Sequence, residues 1–394
     1  MMSRQESEPR SRRPVIAQII PSLDAGGAER TTLDVAAALA RAGFTPLVVS
    51  EGGRMVPELT AAGAEWVNLP VNTKSPLRLL RNAVRLGNLI RTADIALVHA
   101  RSRAPAWSTL LAARMTGTPF VTTYHGIYSA RFPLKRFYNS VMLRADAVIA
   151  NSRWTAAHIE AEHVLKPKKL VVIPRGTDTS RFDPARVPPG RVNMLRRRWH
   201  VAEKDMVVLL PGRLTRWKGQ LVLIAALAQL SRIRSLASVR VLLAGDAQGR
   251  TSYVEELARA IAHAGLGDRV EISGHVDDMP AAYLAADIVV SASTDPEAFG
   301  RVAAEAGAME RPVIATDHGG ARETVLPGVT GLLVPPGNAN VLARALEALL
   351  SADPVARAAM GKAGRAHIAR HFTLERMTGE TIALYRALLE PARS

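Results

Sequence analysis

The chain has 394 residues, of which 48% are hydrophobic and 22% charged, and this composition is ordinary for a globular protein of two or three domains. It contains no cysteine, which excludes a disulfide framework and any cysteine-based metal site or nucleophile. The formal net charge of +16 points to an anionic partner, such as an acidic substrate, a phospholipid surface or nucleic acid.

The N-terminal residues are polar and basic, with arginines at positions 4, 10, 12 and 13. They lack the apolar core of a secretion signal, so we expect residues 1–13 to form a disordered basic tail. No run of 18 apolar residues occurs that could span a membrane. These features predict a cytoplasmic protein, and peripheral binding to the inner face of the cytoplasmic membrane is left open.

A glycine pair follows the first predicted strand, which covers residues 15–23. Gly26 and Gly27 precede an amphipathic helix predicted for residues 28–41. A strand, a glycine turn and a helix are typical of a ligand-binding turn in an open α/β sheet. The third glycine of the dinucleotide fingerprint is missing, which disfavours a nicotinamide cofactor. A plain connecting turn is the alternative.

Strand-like and helical patterns alternate through the rest of the first half, which predicts a doubly wound parallel sheet. The strand-like runs cover residues 45–50, 65–69, 95–99, 119–124, 147–150 and 170–174. His125 ends one of them and could donate to a substrate hydroxyl or stabilise charge, although a histidine at a strand end is often structural. His99 and Arg101 end another strand and are weaker candidates for an acceptor side.

Basic and aromatic residues are mixed between Tyr128 and Arg144. Arg78, Arg81 and Arg85 lie on one side of an earlier predicted helix. Such stretches can lie on an anionic bilayer, and a solvated helix face is the alternative.

Prolines and glycines between residues 174 and 198 predict a linker, with the domain boundary between about 185 and 203. We therefore expect an N-terminal domain at 14–190 and a C-terminal domain at 200–372. The last helices are predicted for 338–371 and 374–389, and Thr373 suits the N-cap of the final helix.

Two cations follow the first strand of the second half, which covers residues 206–211. Arg213 and Lys218 lie at its carboxyl end, just before a helix predicted for residues 220–230. Arginine suits planar contact with phosphate oxygens and lysine acts as a point charge, so the pair suits a pyrophosphate. A basic surface loop without a ligand is the alternative.

A turn after the strand-like run 287–292 carries Glu297, and a helix is predicted to open near Phe299 and Gly300. The amides of Phe299, Gly300 and Arg301 would be unpaired donors that favour an anion. Glu305 lies about 7 Å along this helix, given a rise of about 1.5 Å per residue. With a diphosphate on the helix start, Glu305 could reach the ribose. Glu297 could then reach a group beyond the phosphates. A solvated surface helix is the alternative.

The stretch Glu297-Ala-Phe-Gly-Arg-Val-Ala-Ala-Glu305 resembles the Glu-x7-Glu signature of retaining glycosyltransferases, most closely glycosyltransferase family 4. The glycine pair, the His125-Gly126 step and the Arg213–Lys218 loop occur in the order of that family, each where a strand meets a helix. The resemblance implies the GT-B fold, in which two Rossmann-like doubly wound parallel-sheet domains face a central cleft. It also implies a final helix, residues 373–394, that crosses back to the N-terminal domain.

The resemblance further implies transfer of a sugar from a nucleoside-diphosphate sugar to a hydroxyl, without a metal, a covalent enzyme intermediate or another cofactor. Arg213, Lys218 and the amides of residues 299–301 would stabilise the departing diphosphate. Glu305 would hold the ribose, while Glu297 and His125 would orient the donor sugar. The family pattern places Gly26 and Gly27 on the phosphate and acceptor side, and the backbone of His275 and Val276 at the nucleobase.

Several alternatives remain open from the sequence. A non-hydrolysing sugar-nucleotide epimerase has a similar fold, and a catalytically inactive module would bind nucleotide sugar without transfer. A glycogen-type phosphorylase lacks support because no pyridoxal-lysine context is found, and nucleic acid is not expected as a partner because no such binding motif occurs. The basic character favours a glycan or lipid-linked acceptor, such as one in lipopolysaccharide or another envelope polysaccharide.

Overall fold

The computed structural model describes residues 13–24, 26–126, 128 and 132–390. The basic tail predicted for residues 1–13 therefore lies outside the described residues, apart from Arg13. The described chain forms two compact units. Unit 1 contains the described residues of Met1–Ala150, Ile159–Ile173 and Thr378–Ser394, and unit 2 contains Asn151–His158 and Pro174–Met377.

Unit 1 is built on a parallel sheet whose strands are β1 (Val15–Ile19), β2 (Thr45–Ser50), β3 (Glu65–Asn68), β4 (Ile95–Ala100), β5 (Phe120–Tyr124), β6 (Ala147–Ala150) and β7 (Leu170–Val172). Their order is β3-β2-β1-β4-β5-β6-β7, and all described pairs are parallel. The central strands are mostly apolar and buried, as expected when helices cover both faces of a parallel sheet.

The helices associated with this sheet are α1 (Gly27–Arg41), α2 (Val56–Ala61), α3 (Pro76–Thr92), α4 (Arg103–Thr116), α5 (Pro133–Asn139) and α6 (Arg153–Glu162). Their boundaries follow local chemistry. Proline in the first turn of α3 has the backbone angle of a helix start. Gly117 ends α4 in the left-handed conformation, with φ 71°.

Unit 2 is built on a second parallel sheet, with strands β8 (Met206–Pro211), β9 (Val239–Ala244), β10 (Val270–Gly274), β11 (Ile288–Ser291), β12 (Val313–Thr316) and β13 (Gly331–Val334). Their order is β10-β9-β8-β11-β12-β13. The remaining helices are α7 (Pro189–Arg198), α8 (Gln220–Leu230), α9 (Thr251–His263), α10 (Met279–Ala285), α11 (Arg301–Ala308), α12 (Ala321–Thr324), α13 (Ala339–Ser351), α14 (Pro354–His371) and α15 (Leu374–Leu389).

Each sheet has one point where the strand order reverses, between β1 and β4 in unit 1 and between β8 and β11 in unit 2. The prediction of two doubly wound parallel sheets is thereby confirmed. In such sheets the loops after the two central strands diverge, and ligands bind in the crevice outside their carboxyl ends. The two switch points are therefore where function is expected.

The segment predicted as an irregular linker is instead folded into unit 2. It contains α7, and its Leu195 and Trp199 are buried in the core of that unit. The chain passes from unit 1 to unit 2 earlier, between Ile173 and Pro174. The prolines were misread because proline in the first turn starts a helix rather than breaking it.

The C-terminal region differs from its prediction in one place. The stretch 338–371 forms two helices, α13 and α14, because Asp353 caps α14 by accepting from the Val355 amide and proline occupies its first turn. The predicted N-cap of α15 is present, since the Arg376 amide donates to Thr373 Oγ1 at 3.2 Å. Among the described helices, none combines the length and apolar character needed to cross a bilayer.

Candidate active site

The switch point of unit 2 holds a buried ion pair. Lys218 ends a short 3₁₀ turn after β8, and Glu297 lies in the loop after β11. Lys218 Nζ is 2.7 Å from Glu297 Oε1, and the two side chains are only 12% and 15% exposed. Ser293 Oγ donates to the same carboxylate oxygen at 2.5 Å. The ion pair thus joins the loops that follow the two strands at the reversal of strand order.

A glycine brings these two loops together. Gly219 has φ 76°, and a Cβ added there would lie 1.9 Å from the carbonyl oxygen of Ala292. The Thr294 amide also donates to the Trp217 carbonyl at 2.7 Å. Only glycine allows both the left-handed backbone and this close approach. The Lys-Gly sequence therefore places the lysine against the loop that carries the glutamate.

Glu297 is held in its ionised form. Burial by itself raises the pKa of this carboxyl, but attraction to Lys218 and the hydrogen bonds from Lys218 and Ser293 outweigh it, and the pKa is lowered. His318 adds a smaller effect in the same direction. A carboxylate that stays charged suits the acceptance of hydrogen bonds from hydroxyl groups and the stabilisation of positive charge.

Arg213 provides a second cation on the loop after β8. It is exposed, and its guanidinium forms no hydrogen bond or ion pair with the described residues. Its carbonyl accepts from Gln220 Nε2 at 3.0 Å, which fixes the backbone of the loop. The stem of Lys218 lies against the preceding Gly212, where an added Cβ would be 3.5 Å from Lys218 Cδ. The structure thus keeps the two predicted cations on one loop, with Lys218 packed against the residue that precedes Arg213.

Glu305 is buried in α11, and both of its carboxylate oxygens are engaged. Oε2 accepts from the Tyr283 hydroxyl at 2.9 Å. Oε1 accepts from Arg301 Nε at 3.1 Å and from Arg301 Nη2 at 2.7 Å. The alternative of a solvated helix face is therefore wrong for Glu305 as it is for Glu297. Oε2 keeps a second lone pair, so the carboxylate can still accept a hydrogen bond from a ligand.

Glycines of two loops shape the N-terminus of α11. Gly300 precedes the helix with φ 82°, and no side chain caps it. Gly319 and Gly320 pack beneath the preceding loop, where added Cβ atoms would lie 2.2 Å from the Glu297 carbonyl oxygen and 2.4 Å from Phe299 Cα. The Phe299 ring is buried against Phe372. The amides that begin α11 are thereby fixed in an orientation that favours an anion.

His275 and Val276 follow β10. Val276 is buried in the core of unit 2, whereas His275 is exposed and its Nε2 lies 3.0 Å from Asp277 Oδ1. The side chain of His275 is therefore directed to solvent. The contact of this backbone with a nucleobase stays a prediction.

The predicted residues of unit 1 lie at the carboxyl ends of its strands. Gly26 precedes α1, and an added Cβ there would be 2.3 Å from the carboxylate of Glu29. Gly27 is the first residue of α1. His125 follows β5 and is half-buried, and its backbone is hydrogen bonded to the Tyr128 side chain. The geometry thus keeps the glycine pair and His125 as candidates for ligand contact in unit 1.

A buried network lies below this edge of unit 1. His99 lies with its ring nitrogens 2.5 Å from the Tyr385 hydroxyl and 2.8 Å from Thr123 Oγ1. Burial, with the positive charge of Arg101 and the nearby His125, lowers the pKa of His99 well below its ordinary range. His99 is therefore neutral and structural, and it links β4 to the C-terminal helix of the chain.

Two family profiles match the chain in tandem. "Glycosyltransferase Family 4" matches residues 25–181, and "Glycosyl transferases group 1" matches residues 193–367. A GDP-mannose-dependent alpha-(1-6)-phosphatidylinositol monomannoside mannosyltransferase of Mycolicibacterium smegmatis is 34% identical over 72% of this chain and 74% of its own length. The chain belongs to the GT4 family of glycosyltransferases.

Solved structures show that this GT4 member has the predicted GT-B fold. A glycosyltransferase from Rickettsia africae has a TM-score of 0.89 and 35% identity, and the match covers 96% of this chain and 100% of that chain. Anabaena Alr3699/HepE, solved with UDP-glucose, has a TM-score of 0.81 and 30% identity over 95% and 99% of the two chains. The chain spans only 62% of a related D-inositol 3-phosphate glycosyltransferase from Segniliparus rotundus, with 31% identity over 69% of this chain.

Four features of the site in this GT4 member were not predicted from its sequence: Ser293, Tyr283, His318 and the Gly319–Gly320 turn. His318 Nε2 lies 2.9 Å from the Ser293 carbonyl oxygen and so supports the loop that carries Glu297. The glycine turn comes two residues after β12, and the rule that identified Gly26 and Gly27, a glycine pair after a strand, could have found it. Tyr283 gives no such signal, because an apolar helix does not reveal which residue its tyrosine contacts.

Proposed function

We propose that the chain transfers a sugar from a nucleoside-diphosphate sugar to an acceptor hydroxyl, with retention of configuration at the anomeric carbon. The observation that carries this proposal is the buried Lys218–Glu297 pair at the switch point of unit 2. It combines a cation for a phosphate with a fixed carboxylate for sugar hydroxyls, next to a helix N-terminus that suits an anion.

The diphosphate of the donor is assigned to the N-terminus of α11, Arg213 and Lys218. In the reaction, the bond between the anomeric carbon and the β-phosphate oxygen breaks, and the diphosphate takes up the electron pair. The acceptor oxygen forms the new bond to that carbon, and its proton passes to the departing diphosphate. Donors aimed at this developing charge are each worth roughly 3 kcal/mol at comparable sites.

Glu305 is assigned to the ribose and Glu297 to the donor sugar. Tyr283 and Arg301 fix the carboxylate of Glu305 from two directions, which leaves a defined lone-pair direction on Oε2 for a ribose hydroxyl. The charge of Glu297 is opposite to that of an oxocarbenium-like centre and would stabilise it. The role of His125 near the reacting carbon stays a prediction, which His125→Ala tests by its turnover.

The relatives suggest which donors should be tried first. One is named as GDP-mannose-dependent, and another was solved with UDP-glucose. We therefore propose a UDP- or GDP-hexose as the donor. For the acceptor we propose a glycan or lipid-linked molecule of the cell envelope, of which lipopolysaccharide is one case.

The first experiment is a thermal-stabilisation screen with UDP- and GDP-hexoses, followed by nucleoside-diphosphate release in the presence of EDTA. Lys218→Ala or Glu305→Ala should reduce turnover or donor binding by about a hundredfold or more. Lys168→Ala, at an exposed lysine of unit 1, is the charge-matched control. The anomeric coupling in the proton NMR spectrum of the product reports retention.

Other results of the same experiment would identify the alternatives. Release of a free epimer without acceptor would make the chain an epimerase. Nucleotide-sugar binding without transfer or slow hydrolysis would make it a binding module. Activity like that of the unaltered chain in both Lys218→Ala and Glu305→Ala would contradict the site assigned above.

We further propose that unit 1 binds an anionic membrane surface through α3 and α5. Three apolar side chains of α3 are more than half exposed, namely Leu77, Leu80 and Val84, and so are three around α5, namely Phe132, Leu134 and Phe137. Arginines at 78, 81 and 85 and basic residues at 135 and 136 accompany them.

Both helices pack on α4, where Trp107 stacks on Phe137 and Ser108 Oγ donates to the Leu79 carbonyl. Exposed apolar groups among cations are what an anionic bilayer recognises.

Vesicle co-sedimentation tests this membrane contact. The chain should bind phosphatidylglycerol vesicles in a salt-sensitive manner and bind phosphatidylcholine vesicles weakly. Leu77→Glu combined with Leu134→Glu should lower binding at least about tenfold. Ile233→Glu combined with Val355→Glu, which alters similarly exposed apolar residues of unit 2, should leave the binding unchanged. Equal binding of both lipids, or equal loss in both double variants, would contradict the proposal.

A further inference from the structure

The end of β4 in unit 1 buries an arginine that forms no ion pair with the described residues. Arg101 is 3% exposed, and it lies directly after the last residue of the strand. Its Nε donates to Gln18 Oε1 at 2.9 Å, and its Nη2 donates to the same oxygen. Within the described part of the chain, Arg101 forms no ion pair, and its Nη1 has no hydrogen-bond partner.

A buried guanidinium with one neutral acceptor is an unusual arrangement. The group stays protonated and has five N–H donors, and burial of an unpaired charge carries a penalty of several kcal/mol. Gln18 is held by its own bond, since its Nε2 donates to the Thr32 carbonyl at 3.0 Å. Asp34 and Tyr385 interact with Arg101 electrostatically but form no hydrogen bond with it. Asp34 is itself paired with Arg30 at 3.0 Å. The positive charge of Arg101 is therefore available for a ligand.

The position of Arg101 in the fold points to a ligand site. It follows β4, and the glycine pair follows β1, so the two flank the switch point of unit 1. In unit 2 the cation at the switch point, Lys218, follows β8, the counterpart of β1, and it is neutralised within the protein by Glu297. Unit 1 has the cation at its switch point but lacks an ion-pair partner for it among the described residues.

The N-terminus of α1 lies at the same switch point, because α1 is the helix that follows β1, and a helix N-terminus carries positive potential. This helix has 15 residues and no side-chain cap at Gly26. The carboxylate of Glu29 lies over Gly26, which shows that this end of α1 accommodates an anionic group. A phosphate has more acceptor oxygens than a carboxylate, so an incoming phosphate would compete with Glu29 for this end of the helix.

We propose that Arg101 and the N-terminus of α1 bind a phosphate group carried by the acceptor, at the switch point of unit 1. The buried guanidinium supports the anion site independently of the proposed function. Only the statement that the ligand is the acceptor rests on the proposed function. The acceptor class is therefore a phosphate ester rather than a neutral glycan. The source is either a soluble sugar or polyol phosphate or the headgroup of a phospholipid.

The first test is calorimetric titration of the full chain with inorganic phosphate. Lys218→Ala removes the cation of unit 2, and this variant should still bind phosphate saturably. The double variant Lys218→Ala/Gln18→Glu should bind phosphate about tenfold or more weakly than Lys218→Ala, because the new carboxylate neutralises Arg101. The control double variant Lys218→Ala/Gln229→Glu has the same charge change on α8 of unit 2, and it should bind phosphate as tightly as Lys218→Ala. Thermal unfolding of each variant confirms that it is folded, and Arg101→Lys gives a second measurement of the loss.

The second test distinguishes the two sources of the phosphate. Sugars and polyols are offered with and without a phosphate monoester, and phosphatidylglycerol vesicles form a third arm, with nucleoside-diphosphate release as the readout. Phosphorylated compounds or the vesicles should be preferred, and Gln18→Glu should abolish the preference without changing the donor KM. Loss of phosphate binding in Lys218→Ala alone would overturn the inference, and so would an unchanged phosphate affinity after Gln18→Glu. Phosphate binding that persists while no donor is turned over would instead reject the proposed function and leave the anion site standing.

Discussion

Removal of the buried cation of unit 2 should destabilise the chain by an amount that depends on pH. Lys218→Met keeps most of the side-chain volume and removes the ammonium 2.7 Å from Glu297. The carboxylate retains the Ser293 hydroxyl but stays buried at 15% exposure. Leaving one partner of a buried pair uncompensated costs roughly 3–5 kcal/mol. Because Ser293 remains a donor, we expect the lower end, about 3 kcal/mol at neutral pH.

The sign of the pH dependence follows from Glu297. In the unaltered chain its pKa is lowered from the ordinary 4.5, so its contribution to stability is present above that pH and is lost as the pH falls. Without Lys218, burial raises the pKa of this carboxyl, and the folded state then favours the protonated form. The variant therefore loses stability as the pH rises, and the difference between the two chains should grow from pH 4 to pH 7.

Urea unfolding followed by circular dichroism at pH 4.5 and pH 7 measures this difference. Lys168→Met is the matched control, since Lys168 pairs with Asp146 at 2.9 Å but the two side chains are 75% and 40% exposed. That exposed pair should contribute less than about 1 kcal/mol at either pH. A loss below about 1 kcal/mol for Lys218→Met at pH 7, or an equal loss at both pH values, would refute the reasoning.

Three further predictions address other parts of the site and the fold. Tyr283→Phe removes the hydroxyl that fixes Glu305 and should raise the donor KM about tenfold or more with a smaller change in kcat, which steady-state kinetics measures. His99→Gln removes a buried neutral imidazole whose pKa is lowered from 6.5. Unfolding of the unaltered chain between pH 7.5 and 5 should therefore show a stability loss below pH 6.5, up to about 1.4 kcal/mol per pH unit, that the variant lacks. Gly219→Ala should destabilise the chain at least about 2 kcal/mol more than Gly249→Ala in urea unfolding, because the two glycines have φ 76° and 77° but only the first lies against a backbone carbonyl.

The sequence was sufficient to locate the strands and the turns that follow them. Parallel strands are continuous apolar runs, and each ligand-binding turn begins where such a run ends, so both signals are local. The position of Lys218 at the end of β8 and that of Glu297 after β11 could thus be derived from neighbouring residues alone. Their location at a switch point required the strand order, which is a property of the whole sheet.

The partners of the site residues could not be derived in the same way. Tyr283 reaches Glu305 from a helix 22 residues earlier, and nothing in either segment encodes that contact. The burial of Arg101 was equally hidden, because an arginine at a strand end is usually exposed and only the packing around the sheet shows otherwise. The boundary error near α7 had a different cause, since prolines at a helix start and in a linker look alike in sequence.

The contrast between the two switch points concerns how each balances its cation. The charge of Lys218 is offset by Glu297 inside unit 2, so a diphosphate at the proposed site would share the ammonium with a carboxylate already bonded to it. Under the proposed function, the exposed Arg213 and the amides of α11 would supply the additional attraction that makes such sharing favourable. Arg101 has a neutral amide as its partner instead, so an anion at unit 1 gains a guanidinium without displacing an ion pair. For this reason the acceptor, and not only the donor, is expected to be recognised through its negative charge.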